Sequence, residues 1–594
     1  MAATRTAGGG VRWSLDGLFA SAAAMREHTE RTRAAAEELA ERWGGRLAEL
    51  DGATLARALV ELADLRSSRQ EAEYYHLLAE ATDSDNPEVR DLGAWLEPRL
   101  TEIGNAIRAF ELEWIGLPEE TAERLLDAPE VAGDVHALRK LRLLIPYTLS
   151  EPEERLIAER DATALKAWQS LFHRHLSTLT VDFDAAEGVE PQTVSTLTSL
   201  LGHPERELRL RANTALRELV EPERPLLAQC YDTIVADRLL LDRLKGVSEP
   251  MLPTHLQNEL EPEAVSAMLD AVEGAYGLAQ RWLRVKARRL GLPFLTFADV
   301  RAPIGDPEPI LWPEAVELAT GAFHRFSPEL GSIASSFFDE GRVDAEPRRG
   351  KYGGAFCAGV SVRRPAYLFV NHMDRLTDVL TLAHELGHGT HFVASQVQSQ
   401  NSWEPGLALL EVPSTFAELL LVDHLTAAGV SDELGFALNA AVLDEVIGAV
   451  YRQTVFVRYE QRAYALRAEG VVLTPDRLGE IMSEEFAKLN GDAVVPEQDD
   501  PTWSWARIPH FIDTRFYTYA YVFAFLVAFA AHARLRDLPD FGERYLRFLA
   551  LGGSASPAHQ LAELGIDLSD EAIWSDAFAE VERRVQAMEA VTAA

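Results

Sequence analysis

The pentapeptide His384-Glu385-Leu386-Gly387-His388 constrains this chain more than any other stretch, because it requires a helix and a second element packed against it. On an α-helix, positions i and i+4 share a face, so both imidazoles reach one cation while Glu385 projects beside them. The surrounding run supports that helix: Leu376, Val379, Leu380 and Ala383 recur at helical intervals, and no proline intervenes before the motif ends. Gly387 is the exception. Glycine costs a helix interior about 1 kcal/mol relative to alanine, and its presence fits close approach by another backbone or by substrate. Spacing and residue types are those of a zinc hydrolase.

Catalytic zinc takes three protein ligands and keeps a fourth position for water, so a third donor is needed. A histidine six residues after the second one is absent, since that position is Ala394. His391 shares the helix face but lies two turns from His384, too far along one helix to close a tetrahedron; it is read as a residue supporting the site or lining its cleft. Glu411 is the better candidate. The polar stretch Gln398 to Gly406 turns the chain, and the apolar helix that follows (Phe416, Leu419, Leu420, Leu421) can pack back on the first. Glu418, seven residues on, falls on the same face and is placed to hydrogen-bond a ligating imidazole.

Ala383 to His391, with Glu411-Val412-Pro413-Ser414-Thr415-Phe416-Ala417-Glu418, resembles the thimet oligopeptidase and oligoendopeptidase F family of zinc peptidases, and the oligoendopeptidase F branch above all. The likeness extends to Trp13 to Leu18, to Leu149 to Glu154 and Trp168 to Phe172, to Arg349 to Cys357, and to Ile508 to Phe511 with Tyr517 to Tyr521. It implies a mainly α fold of two helical halves around a deep channel, with a small β-sheet next to the zinc-binding helix. It implies one zinc ion on the channel floor and substrates limited to short unfolded peptides. It also implies that His510 and one or two of Tyr517, Tyr519 and Tyr521 contact substrate or the oxyanion.

Composition sets the remaining bounds. A formal charge of -36 argues against nucleic acid and anionic membrane surfaces as partners, and short unfolded peptides are the partners expected. Only Cys230 and Cys357 occur, far apart, so neither a disulfide framework nor a cysteine metal site is expected. Met1 to Gly10 lacks an apolar core, and the apolar stretch Phe516 to Ala531 is short of a bilayer span and reads as a buried helix. A soluble, cytoplasmic protein is expected.

Nearly everything reads as helix. Residues 20 to 115 repeat apolar residues at three- and four-residue intervals, such as Leu47, Leu50, Leu55, Leu59 and Leu62. Breaks fall at Asp83 to Pro87, Gly116 to Pro118 and Gly188 to Pro191, the last dividing an amino-terminal helical domain (1–190) from a catalytic domain (191–594). The one strand signal is Phe356 to Asn371. There an edge strand can hold an extended peptide, and Gly353-Gly354 either lets the substrate approach or simply makes a hairpin turn.

The chemistry expected is peptide hydrolysis, with zinc on His384, His388 and Glu411 and with Glu385 as general base. Tyr517 and Tyr521 share a helix face as possible oxyanion donors, with Tyr519 on another. Two alternatives stay open. A zinc carboxypeptidase or dipeptidase of similar architecture needs a cation for the substrate carboxylate, for which Arg363, Arg364, Arg507 and Arg515 are available. A noncatalytic peptide-binding protein with structural zinc has no use for Glu385.

Overall fold

Three long amphipathic helices open the chain, Ala22–Trp43, Gly52–Thr82 and Pro87–Gly116, and each starts where a short polar side chain caps it. Ser21, Asp51 and Asn86 accept from the backbone N–H of Ala24, Thr54 and Glu88, satisfying donors that the first turn leaves orphaned. The breaks read at Asp83 to Pro87 and Gly116 to Pro118 are where the second and third helices end. Leu47 and Leu50 depart from the helical run: Gly45 turns left-handed at φ 73°, and Leu47 falls in a 3-10 turn, Leu47–Glu49.

The computed structural model describes residues 7–161, 163–184, 188–305, 308–495 and 501–593 and is helical almost throughout. Residues 1–6 of the amino-terminal stretch lie outside the described residues. The chain forms two compact units, each assembled from three segments. The first comprises Met1–Leu143, Pro307–Val430 and Ala531–Asp567; the second comprises Leu144–Asp306, Ser431–Ala530 and Leu568–Ala594. Each unit is discontinuous in sequence, so the two interleave along the chain. Of the break at Gly188 to Pro191, Gly188 precedes β2 (Val189–Thr193) and the other three residues open that strand, which pairs antiparallel with β1 (Thr180–Asp184) inside the second unit.

In the first unit a three-stranded sheet lies beside the motif helix, Leu376–Ala394. Its order is β3 (Val343–Asp344), β5 (Tyr367–Phe369), β4 (Phe356–Ala358), with β4 antiparallel to β5 and β3 parallel to it. The strand signal over Phe356 to Asn371 thus resolves into two short strands joined by a reversal. Arg363 and Arg364, within that reversal, both bind the buried Glu71 carboxylate, and this ties the sheet to the second amino-terminal helix. Val360 and Tyr367 share a core with Leu18, Met25, Leu78 and Leu92.

In the second unit a continuous helix runs over residues 432–468, with a π-helical turn, Ile447–Tyr451, at its middle. This stretch was not singled out from sequence, yet it is long and apolar enough to cross a membrane by length and composition; 61% of that apolar window is buried within the fold. The apolar stretch from Phe516 forms the buried helix Tyr519–Arg534, which starts three residues late because Phe516 takes a left-handed φ of 53°.

Candidate metal centre and aromatic cluster

Two helices of the first unit build the centre. The motif helix begins at Arg375, where the Asp378 carboxylate accepts from the backbone N–H groups of Met373 (2.7 Å) and Arg375 (3.1 Å). The second helix, Val412–Ala427, has Glu411 as its first flanking residue and a proline in its first turn. Gly387 explains how closely the two pack: a Cβ there would sit 2.5 Å from Ser414 Cα and closer still to the Pro413 carbonyl oxygen. The glycine is thus required by the backbone of the element that carries Glu411.

His384 Nε2 and His388 Nε2 each lie 3.3 Å from Glu411 Oε2, and one donor atom from each residue falls within 4.8 Å of the others. Two imidazole nitrogens and a carboxylate oxygen converging in this way suit a divalent cation of the zinc type. His384 Nδ1 donates to Glu418 Oε1 at 2.6 Å, which fixes the tautomer that leaves Nε2 as the free lone pair. His388 Nδ1 is buried without a partner among the described residues. Ser414, which sequence reading passed over, donates its hydroxyl to Glu411 Oε2 at 3.0 Å and so orients the carboxylate. Its only signal was a hydroxyl one turn after the glutamate.

Glu385 projects beside these donors, 6% exposed, with Oε2 buried and unpartnered among the described residues. Burial raises its pKa, His384 and His388 partly oppose the rise, and Glu411 and Glu418 reinforce it. Burial acts on Glu411 in the same direction, but hydrogen bonds from both histidines outweigh it and hold that carboxyl well below the usual range. Cys357, on β4, also feels this charge: burial first, then Glu385, pushes its thiol well above the ordinary value. His391 is not in the donor group. It is 1% exposed, neither ring nitrogen has a partner among the described residues, and it stacks on Phe548 at 6.0 Å. Burial, then His388, pushes it down to about 3, so it is a neutral ring in the core.

Gly353 and Gly354 are exposed, and an added Cβ would meet nothing within 4 Å at either. Gly354 has φ 80°, and Asn371 Nδ2 donates to the carbonyls of Tyr352 (3.0 Å) and Gly354 (2.9 Å). The turn therefore needs glycine at 354 for its backbone angle, and the space outside it is open.

The second unit carries the other residues read from sequence. His510 stacks on Tyr517 at 5.8 Å and meets Tyr521 edge-on at 6.0 Å, while the two tyrosine rings are 5.2 Å apart. All three are partly exposed. Tyr519 diverges from them: wholly buried, its hydroxyl accepts from Asn258 Nδ2 at 2.9 Å. The cluster rests on a braced loop. Arg238 donates to the carbonyls of Phe511 and Ile512, Arg515 binds Asp242, and the Phe516 N–H donates to both Glu460 oxygens at 3.1 and 3.0 Å. A left-handed Phe is strained, and this anchoring holds it. Burial pushes Glu460 up to about 8 despite the Phe516 N–H.

Comparison with known proteins adds an independent line. A family model described as peptidase family M3 matches residues 327–580, and one described as Oligopeptidase F matches residues 113–180. The group B oligopeptidase PepB of Streptococcus agalactiae serotype III (strain NEM316) is 25% identical, over 98% of this chain and 97% of its own. Oligopeptidase PepF of Bacillus subtilis (strain 168) is 24% identical over 79% of this chain and 71% of its own. A crystal structure of a Chlamydophila abortus protein superposes with a TM-score of 0.83 at 22% identity, covering 97% of this chain and 98% of that one. Oligoendopeptidase-F of Enterococcus faecium superposes with a TM-score of 0.71 at 21% identity, covering 95% and 98%. The last two likenesses are of fold.

Proposed function

The chain belongs to peptidase family M3, in its oligoendopeptidase F branch, and we propose that it hydrolyses internal peptide bonds of short unfolded oligopeptides using one zinc ion. The observation that carries the metal assignment is the convergence of His384, His388 and Glu411 within 4.8 Å, with Glu385 beside them. Those three residues would hold the ion. When bound, zinc supplies Lewis acidity, making water more acidic and polarising a carbonyl.

The chain's own groups do the rest. Glu385, whose Oε2 makes no hydrogen bond among the described residues, takes the proton of the attacking water and later delivers it to the leaving amine. Glu418 keeps His384 in its ligating tautomer, and Ser414 keeps the Glu411 carboxylate turned toward the histidines. His510, Tyr517 and Tyr521 present hydrogen-bonding edges for a peptide or a developing oxyanion, a role that the buried Tyr519 hydroxyl, engaged by Asn258, does not share.

The test is mass spectrometry of a mixed peptide pool incubated with the protein, with and without a chelator, beside Glu385→Gln. The expected result is chelator-sensitive internal cleavage of short peptides. The Gln variant should keep its metal and lose 10²-fold or more in turnover, on the order of a general base's contribution. Peptides bound but left intact by wild type and variant alike would favour the noncatalytic reading.

A further inference from the structure

Side chains from four helices of the second unit hold the turn that joins His510 to Tyr517. One face of the helix Arg224–Lys245 supplies Arg238 and Asp242, four residues apart. Arg238 Nη2 donates to the carbonyls of Ile512 (2.7 Å) and Asp513 (3.1 Å), and Nη1 donates to that of Phe511 (3.2 Å). These carbonyls belong to the single helical turn His510–Asp513, which has no further turn of its own to satisfy them. Gln169 Nε2 adds a second donor to the Ile512 carbonyl at 2.9 Å. Asp242 takes both Nη groups of Arg515 at 2.5 and 2.8 Å, and the Arg515 carbonyl accepts from Thr254 Oγ1 at 3.0 Å.

The far end of the turn is held from the helix Arg452–Ala468. There Glu460, 0% exposed, places both carboxyl oxygens against the Phe516 N–H, at 3.1 and 3.0 Å. Phe516 needs such a partner, because its φ of 53° is a conformation that glycine takes freely and phenylalanine does not. Tyr464, one turn after Glu460, joins the two grips: its hydroxyl meets Arg238 Nη1 at 3.1 Å, and its ring lies 4.9 Å from that of Phe516. With the turn itself, Arg238, Tyr464, Phe516 and Glu460 close a circuit.

What the circuit fixes is a direction. The backbone angle at 516 sets how residue 517 leaves the turn, and the Tyr517 ring is the one stacked on His510 at 5.8 Å, with the Tyr521 ring 5.2 Å away. A glycine at 516 would take the same angle with no strain and no buried carboxyl. The chain instead pairs a left-handed phenylalanine with an anchor, and strain of this kind persists only where the surroundings over-determine it. We propose that Glu460 is a positioning residue for peptide hydrolysis: its bond to the Phe516 N–H fixes the stack of Tyr517 on His510, and thereby the hydrogen-bonding edges that His510, Tyr517 and Tyr521 present. This rests on the peptidase reading above and deepens it. Displacing such groups by about 1 Å costs on the order of 10²-fold in turnover.

The experiment compares wild type with Glu460→Gln, which keeps a carbonyl oxygen for the Phe516 N–H, and Glu460→Met, which keeps the length and loses the acceptor. Glu460→Asp, whose carboxyl is withdrawn by one methylene, serves if the Met variant does not fold. Values of kcat and KM are measured on a quenched fluorescent peptide, below the melting temperature of every variant and at equal metal content. In parallel the His510 ring is followed by NMR of protein isotope-labelled at histidine Cε1, assigned with His510→Gln, while Tyr517→Ala marks the unstacked position. The expected result for the Met or Asp variant is a kcat lower by about 10-fold or more with KM within about 2-fold, as for interactions made in the transition state. Its His510 resonance should move toward the unstacked position, and Glu460→Gln should bring both readouts back near wild type. A folded Met or Asp variant with wild-type kcat or an unmoved resonance overturns the proposal, as does an equal loss in the Gln variant. A resonance that moves as expected in a protein that cuts nothing would instead overturn the peptidase reading.

Discussion

Alanine at position 387 tests the packing that creates the metal centre. In a free helix interior the change would stabilise by about 1 kcal/mol, since alanine is the better helix former. Here the new methyl would stand 2.5 Å from Ser414 Cα, and both atoms it meets first are backbone. Ordinary contact begins near 3.4 Å, so the two helices must part by about 1 Å, and overpacking of this kind costs about 3 kcal/mol at the upper end of its usual range. The net expectation is a loss of about 2 kcal/mol and a melting temperature lower by a few degrees. Because Glu411 lies just before the displaced Pro413, the same shift draws a donor away from the two histidines, and metal affinity should fall at least 10-fold. Thermal melting with and without metal, and competition against a chromophoric chelator, read the two effects. A Gly387→Ala protein that melts higher than wild type, with metal affinity intact, would refute the argument.

Glu418→Ala, which removes the acceptor for His384 Nδ1–H, should weaken metal binding roughly 10- to 100-fold, the usual loss when a ligand's hydrogen-bonding partner is removed; chelator competition measures it. His391→Phe should keep full metal content and melt no lower than wild type, because the ring it replaces makes no hydrogen bond among the described residues and stacks on Phe548; metal loss would show that His391 ligates. Glu460, pushed up to about 8 by burial, stays protonated in the folded chain where the unfolded chain ionises near 4.5. The folded state therefore binds the extra proton across that window, and stability falls as pH rises from about 5 to 8. Thermal melts across pH 5 to 9 should show a shallower decline for Glu460→Gln, and identical profiles would count against the buried carboxyl.

The helical class was legible because apolar residues at three- and four-residue spacing determine it directly, and the breaks at Asp83 and Gly116 were legible because proline and glycine announce themselves. The convergence of residues 384, 388 and 411 could be anticipated because an i,i+4 pair points one way and a polar turn of limited length returns the chain to it. Ser414 was not anticipated, since a serine one turn after a glutamate looks like many others until the carboxylate it orients is placed. Likewise the regular periodicity of Tyr517, Tyr519 and Tyr521 hid the left-handed Phe516, whose geometry depends on Glu460, 56 residues away in sequence. The division into units was illegible for a related reason: interleaving depends on which distant segments share a core, and no local pattern encodes that.

Interleaving has a consequence for how the chain is made. Phe548, against which His391 stacks, and Tyr545, which stacks on Phe416 at 4.6 Å, belong to a segment translated long after the histidine motif. A nascent chain growing at the usual pace therefore carries the motif for roughly 8 to 30 s before the helix that backs it leaves the ribosome. Until then two apolar helix faces lack their cover, so the motif helix and its neighbour gain their final packing only once that later segment joins them.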